Sequence, residues 1–409
     1  MVFTLLLISL IYLYKFRYAV FEDDNKITFI FLNISLSVIM SLILADVNPR
    51  LIYVSPICIF PLLTKTFFDS RIAFFVHIVS VLIISFTVLN GFEYIFIQIL
   101  AGIISILSTS QIYKRANLFI SVTQITLMYF LGYIVFYLLS SGNIEKVDFF
   151  QFGYFLSNGM LTLFVLPLIY FYEKIFSLVS DVSLLELSDT NSALLKDLSD
   201  KAPGTFHHSL QVANLSEACA NEINANALLT RVGALYHDIG KIKKPNFFSE
   251  NQKGSISPHD ELSPEESAEI IIAHVIDGIS LGKKNKLPDR ILEFIRTHHG
   301  TSKVYFFYKK QIELYPHSDI KKFVYPGPKP FSKETSIVMM ADSIEAASKS
   351  LKEPSFEILE EFVHKIINQQ IDEGQFINSN ITFSEIEAVK KVLIRKLVNI
   401  YQLRIEYPD

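Results

Sequence analysis

Residues 234–241 read ALYHDIGK and place His237 and Asp238 side by side after an apolar, helix-forming run. Further donor residues recur through the second half of the chain. They are His207-His208, His274, His298-His299 and Asp342. Imidazole suits iron, manganese or zinc, and a carboxylate can bridge two metal ions. A contiguous His-Asp pair with a histidine upstream and an aspartate far downstream is a specific pattern, so we expect a metal centre with Asp238 as the bridge.

The donor residues are expected to lie on or beside helices of one all-helical domain, residues 201–409. The run Ser263-Pro264-Glu265-Glu266 predicts a capping box with proline in the first turn, opening the helix that carries His274. Gly300 is expected to end the next helix. No strand-rich stretch or βαβ rhythm is present in the sequence, which disfavours a Rossmann or P-loop protein.

The first 172 residues differ in composition from the rest. The chain has 409 residues, of which 50% are hydrophobic, and its mean hydropathy is +0.35. Most of the charges follow Tyr172. Seven apolar runs, several near the ~20 residues that a membrane-spanning helix needs, predict a seven-helix transmembrane bundle. They cover residues 2–14, 27–45, 51–64, 72–90, 92–110, 117–140 and 152–172.

Residues 173–200 join the two regions and are predicted to form a helical linker. Apolar residues such as Leu184, Leu187 and Leu195 alternate with acids and serines, a pattern that favours one apolar helix face. This face either pairs with a second copy of the chain or packs on its own catalytic domain.

Basic residues in the membrane loops predict the orientation. Seven Lys or Arg fall in one set of alternate loops, whereas Arg50 and Lys146 fall in the other set. Because Lys and Arg are retained on the cytoplasmic side, the amino terminus is expected outside and residues after Phe171 in the cytoplasm. The seven are Lys15, Arg17, Lys26, Lys65, Arg71, Lys114 and Arg115.

Charge also excludes two classes of function. The net charge of −4, with no basic tract, predicts neither a DNA nor an RNA partner. Within the apolar runs, only His77 stands in the middle of a span, and it is expected to be a hydrogen-bonded packing residue. A transporter would need intramembrane charges, so the bundle is expected to anchor the domain and transmit a signal.

Six segments extend this pattern to a known family. They resemble the seven-transmembrane HD family of bacterial cyclic di-AMP phosphodiesterases, in the HD phosphohydrolase superfamily, and the similarity runs along essentially the whole chain. The segments are PGTFHHSLQVANLSEA, GALYHDIGKIKKPNFFSENQ, SPHDELSPEESA, THHGTS, YPGPKPFSKE and MMADSIEAASKSL. That family usually carries an extracytoplasmic domain ahead of its bundle. This sequence begins inside the bundle, as expected of a shortened form or of a protein without that sensor.

The resemblance implies an enzyme that hydrolyses cyclic di-AMP to linear pApA with two divalent ions, for which manganese or iron is favoured. It implies one ion on His208, His237, Asp238 and Asp342, and a second ion on Asp238, His274, His298 and His299. The alternatives are hydrolysis of cyclic di-GMP and an inactive nucleotide receptor. A cyclic di-GMP enzyme of the HD-GYP type is disfavoured because residues 325–327 read Tyr-Pro-Gly.

Other residues near these motifs are weaker candidates. Lys241 lies one turn after His237 and either reaches a phosphate oxygen, as a catalytic and substrate-binding residue, or closes a helix carboxyl terminus. His207 should point about 100° away from His208 on a helix and is expected either to support the ligands from behind or to be structural. Candidate substrate contacts, with aromatic rings able to stack on adenine, are Thr301, Tyr305, Tyr308 and Lys329. A homodimer through the linker and the HD domain is one arrangement that these patterns allow.

The charge count leads to a topology prediction. A cysteine introduced at Gly142-Asn143 should react with an impermeant thiol reagent in intact cells, and one at Lys114-Arg115 should be protected. Labelling in intact and in permeabilised cells measures this difference. The reverse pattern would place the catalytic domain outside and exclude a cytoplasmic messenger as its substrate.

Overall fold

The computed structural model describes residues 1–108, 115–142, 147–252, 257–351 and 354–401. The chain divides into two compact units, Met1–Val182 and Ser183–Asp409. Within the described ranges both units are helical, and the one strand-like pairing is an isolated antiparallel bridge between Lys303 and Val324. The prediction of an all-α fold is confirmed. The division falls inside the predicted linker, whose limits at 172 and 200 stay predictions.

The membrane unit is a bundle of apolar helices around a core rich in aromatic residues. Its helices are α1 Val2–Phe16, α2 Tyr18–Phe21, α3 Asp24–Val47, α4 Ile59–Phe67, α5 Ser70–Ser85, α6 Gly91–Ser108, α7 Arg115–Ser141, α8 Phe150–Thr162 and α9 Val165–Phe176. A 3₁₀ helix, Pro49–Val54, precedes α4. Each of the seven predicted apolar runs falls on a helix or a helix pair in this order.

The length of these helices limits how many can span a bilayer. Among the described residues, four stretches are long and apolar enough, and the pair of α8 and α9, bent by 43°, makes up to five. The four are Asp24–Val47, Pro49–Phe67, Gly91–Ser108 and Ala116–Ser140. Helices α1 and α5 are apolar but shorter, so the count of seven spans stays a prediction.

The stretch Pro49–Phe67 is broken between its 3₁₀ helix and α4. Asn158 of α8 donates hydrogen bonds to the carbonyl oxygens of Tyr53, at 3.2 Å, and Ser55, at 2.6 Å. A break at membrane depth is tolerated only where its backbone groups are satisfied, and Asn158 does this from a neighbouring helix. Counting charges along the sequence overlooked Glu93, which is buried and accepts a hydrogen bond from the Tyr53 hydroxyl at 3.0 Å.

Two ion pairs join loops that the charge count assigned to the same side. Arg17 pairs with Asp69 at 2.7 Å, and Arg50 pairs with Asp148 at 3.2 Å. Arg17 and Asp69 lie in loops of the set predicted to be cytoplasmic, and the other two residues lie in the opposite set. Each of the two labelling sites, Lys114-Arg115 and Gly142-Asn143, includes one residue, Lys114 or Asn143, that lies outside the described residues.

His77 packs tightly between α5 and α6. Its ring donates a hydrogen bond from Nε2 to the carbonyl oxygen of Gln98 at 2.9 Å. The ring also lies against Gly102, where an added Cβ would be 2.0 Å from Nε2. This close approach of two helices depends on a residue without a side chain.

A matched pair of substitutions tests this packing. Gly102→Ala is expected to destabilise the membrane unit by about 1–3 kcal/mol because the His77 ring must move. Gly153→Ala is the control, since a Cβ there meets nothing within 4 Å. Thermal unfolding of the purified chain in detergent measures both variants. Equal midpoints for the two would contradict the proposed close approach.

The second unit contains the donor residues. Its described residues form ten helices. They are α10 Asp181–Leu187, which begins just before the division, α11 Ala193–Lys201, α12 Pro203–Glu222, α13 Ala227–Tyr236, α14 Pro264–Lys284, α15 Asp289–Thr297, α16 Tyr305–Leu314, α17 Lys333–Ser348, α18 Phe356–Asp372 and α19 Phe383–Ile400. Helix α12 packs against α11, α13, α17 and α19, so it lies at the centre of the unit. The core of this unit therefore surrounds the helix that carries His208.

The linker is helical in pieces rather than as one stalk. Ser177 adopts a left-handed conformation, with φ of 52°, and ends α9 before α10 begins. In α11, Leu194, Leu195 and Leu198 are buried, and this helix packs on α12. The sequence left open whether the apolar face of the linker pairs with a second copy of the chain or packs on its own domain. In α11 this face packs on its own domain.

Candidate metal centre

The predicted donor residues meet in one buried cluster. His208 lies on α12, His237 and Asp238 follow α13, and His274 lies on α14. His298 follows α15, with His299 next to it, and Asp342 lies on α17. The structure thus brings together residues that lie on five helices or directly after them. The first and the last of these residues, His208 and Asp342, are 134 positions apart in the sequence.

Asp238 faces donor nitrogens with both of its oxygens. Its Oδ2 lies 3.2 Å from Nε2 of His237 and 3.6 Å from Nε2 of His208. Its Oδ1 lies 3.3 Å from Nε2 of His274 and 3.6 Å from Nε2 of His298. The carboxylate therefore has one oxygen toward each of two histidine pairs, which is the placement that a bridging ligand requires.

Three groups of side chains have the spacing of metal ligands, with the donor atoms in each group within 4.8 Å of one another. They are His274, His298 and His299; His208, His237 and Asp342; and His237, Asp238 and His298. Asp342 completes the second group with its Oδ1, which lies 2.9 Å from Nε2 of His208 and 3.6 Å from Nε2 of His237.

The backbone fixes the ring orientation of three histidines. Nδ1 of His237 donates to the carbonyl oxygen of Ala234 at 2.6 Å, and Nδ1 of His298 donates to that of Ile295 at 2.9 Å. Nδ1 of His274 donates to the carbonyl oxygen of Ile271. A hydrogen bond at one ring nitrogen sets the tautomer and leaves the other nitrogen free as a ligand. In all three residues Nε2 therefore points into the cluster.

The motif HDIGK brings α14 close to His237 and Asp238. After α13 the chain enters a 3₁₀ helix, Ile239–Lys243, which packs on α14. A Cβ on Gly240 would lie 1.8 Å from the carbonyl oxygen of His274. Only glycine permits this approach, so the residue two positions after Asp238 determines how near His274 can come.

The capping box predicted for α14 is confirmed. The side chain of Ser263 accepts a hydrogen bond from the backbone of Glu266, and the Glu266 carboxylate accepts one from the backbone of Ser263. Pro264 occupies the first turn. These interactions determine where α14 begins, and hence which residues of the helix face the cluster.

Lys241 is held against Asp238 rather than projecting into solvent. Its Nζ lies 2.7 Å from Oδ2 of Asp238 and 2.9 Å from Oε1 of Glu250. The same ammonium group lies over the ring of Phe248, 4.9 Å from its centroid. The sequence left two roles open for Lys241, binding of a phosphate oxygen and closure of a helix carboxyl terminus. These contacts are not those of a lysine that only closes a helix terminus.

Paired charges shift the pKa values of the central groups. Burial opposes ionisation of Asp238, but the charges of Lys241 and His237 outweigh it and hold its pKa well below the usual value. Burial likewise opposes protonation of His237, but the neighbouring Asp238 charge raises its pKa to about 10. A cation that binds His237 must therefore displace a proton.

Burial favours the neutral form of two other rings, those of His298 and His299. Burial lowers the pKa of His298, and it lowers the pKa of His299 well below the usual value. Tyr325 stacks on the His299 ring, with centroids 4.1 Å apart, and closes that side of the cluster. His298 and His299 are thus uncharged, as a metal ligand must be.

The donor set fits a metal ion. Within the described residues, Nε2 of His237 and Oδ1 of Asp238 are buried and lack a hydrogen-bond partner. Nε2 of His274 lies 3.2 Å from Nε2 of His298. Buried polar atoms are normally satisfied, and a cation among these nitrogens and oxygens would satisfy them together.

The weaker substrate candidates have other partners. Thr301 donates from its backbone and its hydroxyl to Oε1 of Gln375, at 3.1 and 3.3 Å. Lys329 donates to the carbonyl oxygen of Gly374 at 2.9 Å. Tyr305 is 65% exposed, and Tyr308 packs beside Phe323. Among the described contacts, none joins Tyr305, Tyr308 or Lys329 to the donor cluster. His207 is exposed.

Sequence reasoning missed three residues of this site: Glu345, Glu250 and Tyr325. Glu345 accepts a hydrogen bond from Nδ1 of His208 and lies three positions after Asp342 on α17. Residues three apart share a helix face, so this spacing was a readable signal. Glu250 lies in a short 3₁₀ helix, Ser249–Asn251, and Tyr325 lies in an irregular segment, so no periodic pattern indicates that these side chains turn inward.

The fold and the donor cluster define an HD-domain protein attached to a membrane bundle. A sequence model described as "7TM receptor with intracellular HD hydrolase" matches residues 1–180, and the HD domain model matches residues 205–347. The chain is 37% identical to cyclic-di-AMP phosphodiesterase PgpH of Listeria monocytogenes, over 87% of this chain and 50% of that protein. It is 44% identical to the PgpH of Bacillus subtilis, over 60% of this chain and 34% of that protein.

A solved structure matches the second half of the chain. The crystal structure of the L. monocytogenes PgpH HD domain in complex with cyclic di-AMP is 45% identical, with a TM-score of 0.51. The match covers 52% of this chain and 100% of that domain. The chain therefore belongs to the seven-transmembrane HD family of PgpH-type proteins. The chain spans 50% of the length of the Listeria relative and 34% of the length of the Bacillus relative.

The position of Asp238 leads to a prediction about metal binding. Asp238→Ala should lose bound metal and any metal-dependent turnover together, because both histidine pairs face this carboxylate. His207→Ala should retain much of both, since His207 is exposed. Metal content by mass spectrometry and a turnover assay measure the two effects. Similar losses at both positions would refute Asp238 as the bridge.

Proposed function

We propose that the chain is a membrane-anchored, metal-dependent phosphodiesterase that hydrolyses cyclic di-AMP to linear pApA at a dinuclear centre. The observation that carries this proposal is the buried Asp238 carboxylate, with one oxygen toward His208 and His237 and the other toward His274 and His298. A single carboxylate between two groups of nitrogens is the arrangement expected for two adjacent ions.

The proposed ligands divide at Asp238. One ion is assigned to His208, His237, Asp238 and Asp342, and the other to Asp238, His274, His298 and His299. Mixed imidazole and carboxylate ligands suit manganese or iron, which we propose as the native metals. Such ions, when bound, polarise phosphoryl oxygens and generate a hydroxide nucleophile at neutral pH.

Lys241 is the proposed catalytic and substrate-binding cation. Its ammonium group is held between Asp238 and Glu250, beside the proposed centre. Burial opposes its charge, but these two carboxylates outweigh burial and raise its pKa, so it carries a full positive charge at neutral pH. A fixed positive charge at this position stabilises the negative charge on a phosphodiester oxygen during hydrolysis.

The proposed substrate follows from the relatives and the donor set. The two PgpH proteins are named cyclic-di-AMP phosphodiesterases, and the Listeria domain was crystallised with cyclic di-AMP. Thr301, Tyr305, Tyr308 and Lys329 remain proposed contacts for the dinucleotide. Cyclic di-GMP hydrolysis and nucleotide reception without turnover are the alternatives.

The proposed location is the bacterial cell membrane. The chain would cross it several times, with the amino terminus outside and the HD domain in the cytoplasm, where cyclic dinucleotides are made. The charge count supports this orientation, and the two ion pairs support the grouping of the loops into two sides. A homodimer through the linker and the HD domain is also proposed, although α11 packs on its own domain.

A direct assay distinguishes these possibilities. The purified full chain in detergent, loaded with manganese, should convert cyclic di-AMP to pApA faster than it converts cyclic di-GMP, with products identified by chromatography. Asp238→Asn is the inactive control. Faster turnover of cyclic di-GMP would contradict the substrate assignment. Tight binding of cyclic di-AMP without any product would favour the receptor alternative.

A further inference from the structure

His208 is held differently from His237, His274 and His298. Nδ1 of His237, His274 and His298 donates to a carbonyl oxygen three or four residues earlier in the same segment. Nδ1 of His208 instead donates to the Glu345 carboxylate, which lies 137 positions away on α17. The orientation of this ring therefore depends on a side chain of another helix.

Glu345 is well placed to fix this ring. It lies one turn after Asp342, whose Oδ1 is 2.9 Å from Nε2 of the same histidine. One face of α17 thus contacts both nitrogens of His208, with Asp342 at Nε2 and Glu345 at Nδ1. Glu345 is itself buried and pairs with Nζ of Lys349 at 2.9 Å, which holds the carboxylate in place.

We propose that Glu345 is a positioning residue for the ion assigned to His208, His237 and Asp342. Its carboxylate keeps the proton of His208 on Nδ1, holds the ring toward the cluster and makes Nε2 a stronger metal ligand. This inference rests on the proposed metal centre. It adds that one ligand of this ion, His208, is held by a side-chain carboxylate, whereas His274 and His298 of the other ion are held by backbone carbonyls.

The consequence is selective loss of one ion. Among the described contacts, Glu345 touches His208 and Lys349, and none joins it to His274, His298 or His299. Removing Glu345 should therefore weaken the ion on the His208 side and leave the other ion bound. A general defect in folding would instead affect both ions equally.

The test is metal titration of the metal-free full chain in detergent. Wild type should bind two manganese ions per chain. Glu345→Ala should lower the affinity of one ion by about 10- to 100-fold, the usual effect of removing such a support, with the other unchanged. Glu345→Gln should retain more of that affinity than alanine, because the amide oxygen still accepts a hydrogen bond from Nδ1.

Two controls separate positioning from stability. Glu361→Ala removes an exposed glutamate from α18 and should leave both affinities at the wild-type value. Thermal unfolding of the metal-free variants should show that Glu345→Gln folds like wild type. A double variant adds a further check: Asp342→Ala should already lack this ion, so Glu345→Ala should change little more in that background.

The outcomes also separate this inference from the proposed function. If Glu345→Ala binds both manganese ions with wild-type affinity, or if its affinity for both ions falls equally, the positioning role is overturned while the metal centre stands. Equal losses in the glutamine and alanine variants would overturn it too. If wild type binds no manganese and Asp238→Ala changes nothing, the metal centre itself is refuted.

Discussion

The second unit is organised around one buried carboxylate, Asp238. A charge inside a protein is costly unless it is paired and hydrogen-bonded, so Asp238 requires partners on every side. The structure supplies Lys241 at 2.7 Å, and it places imidazole nitrogens between 3.2 and 3.6 Å, where a bound cation would pair with the carboxylate. Helices α12, α13, α14 and α15 must converge to provide them. The packing of the unit and the chemistry of its site therefore follow from the same requirement.

Polar contacts between helices determine how both units are built. In the membrane unit, Asn158 satisfies the carbonyl oxygens at a broken helix, and Tyr53 donates to the buried Glu93. In the second unit, Glu345 orients His208 from a neighbouring helix. Each contact pairs a polar group that would otherwise be buried alone. Apolar burial packs these helices together, and the polar contacts decide which residues face one another.

Much of the architecture is readable from local patterns. Apolar runs, the capping box at Ser263 and the separation of donors from a charge-poor amino-terminal half indicate helices, a membrane region and a metal centre. Prediction was weaker where the backbone is irregular or the partner is distant. The linker looked like one helix because its apolar spacing is helical, yet a left-handed Ser177 interrupts it. Glu93 was overlooked because charge counting along a chain does not show what a residue packs against.

The sequence by itself determined the all-helical class and the membrane region, and it indicated the seven residues that are proposed as metal ligands. These properties depend on helical periodicity, hydropathy and side-chain chemistry, which act over a few positions. Only the tertiary structure decided that Asp238 faces both histidine pairs, that Lys241 is held by Glu250, and that Glu345 supports His208. Those relations join residues up to 137 positions apart. Their geometry arises from the packing of whole helices, which no local pattern specifies.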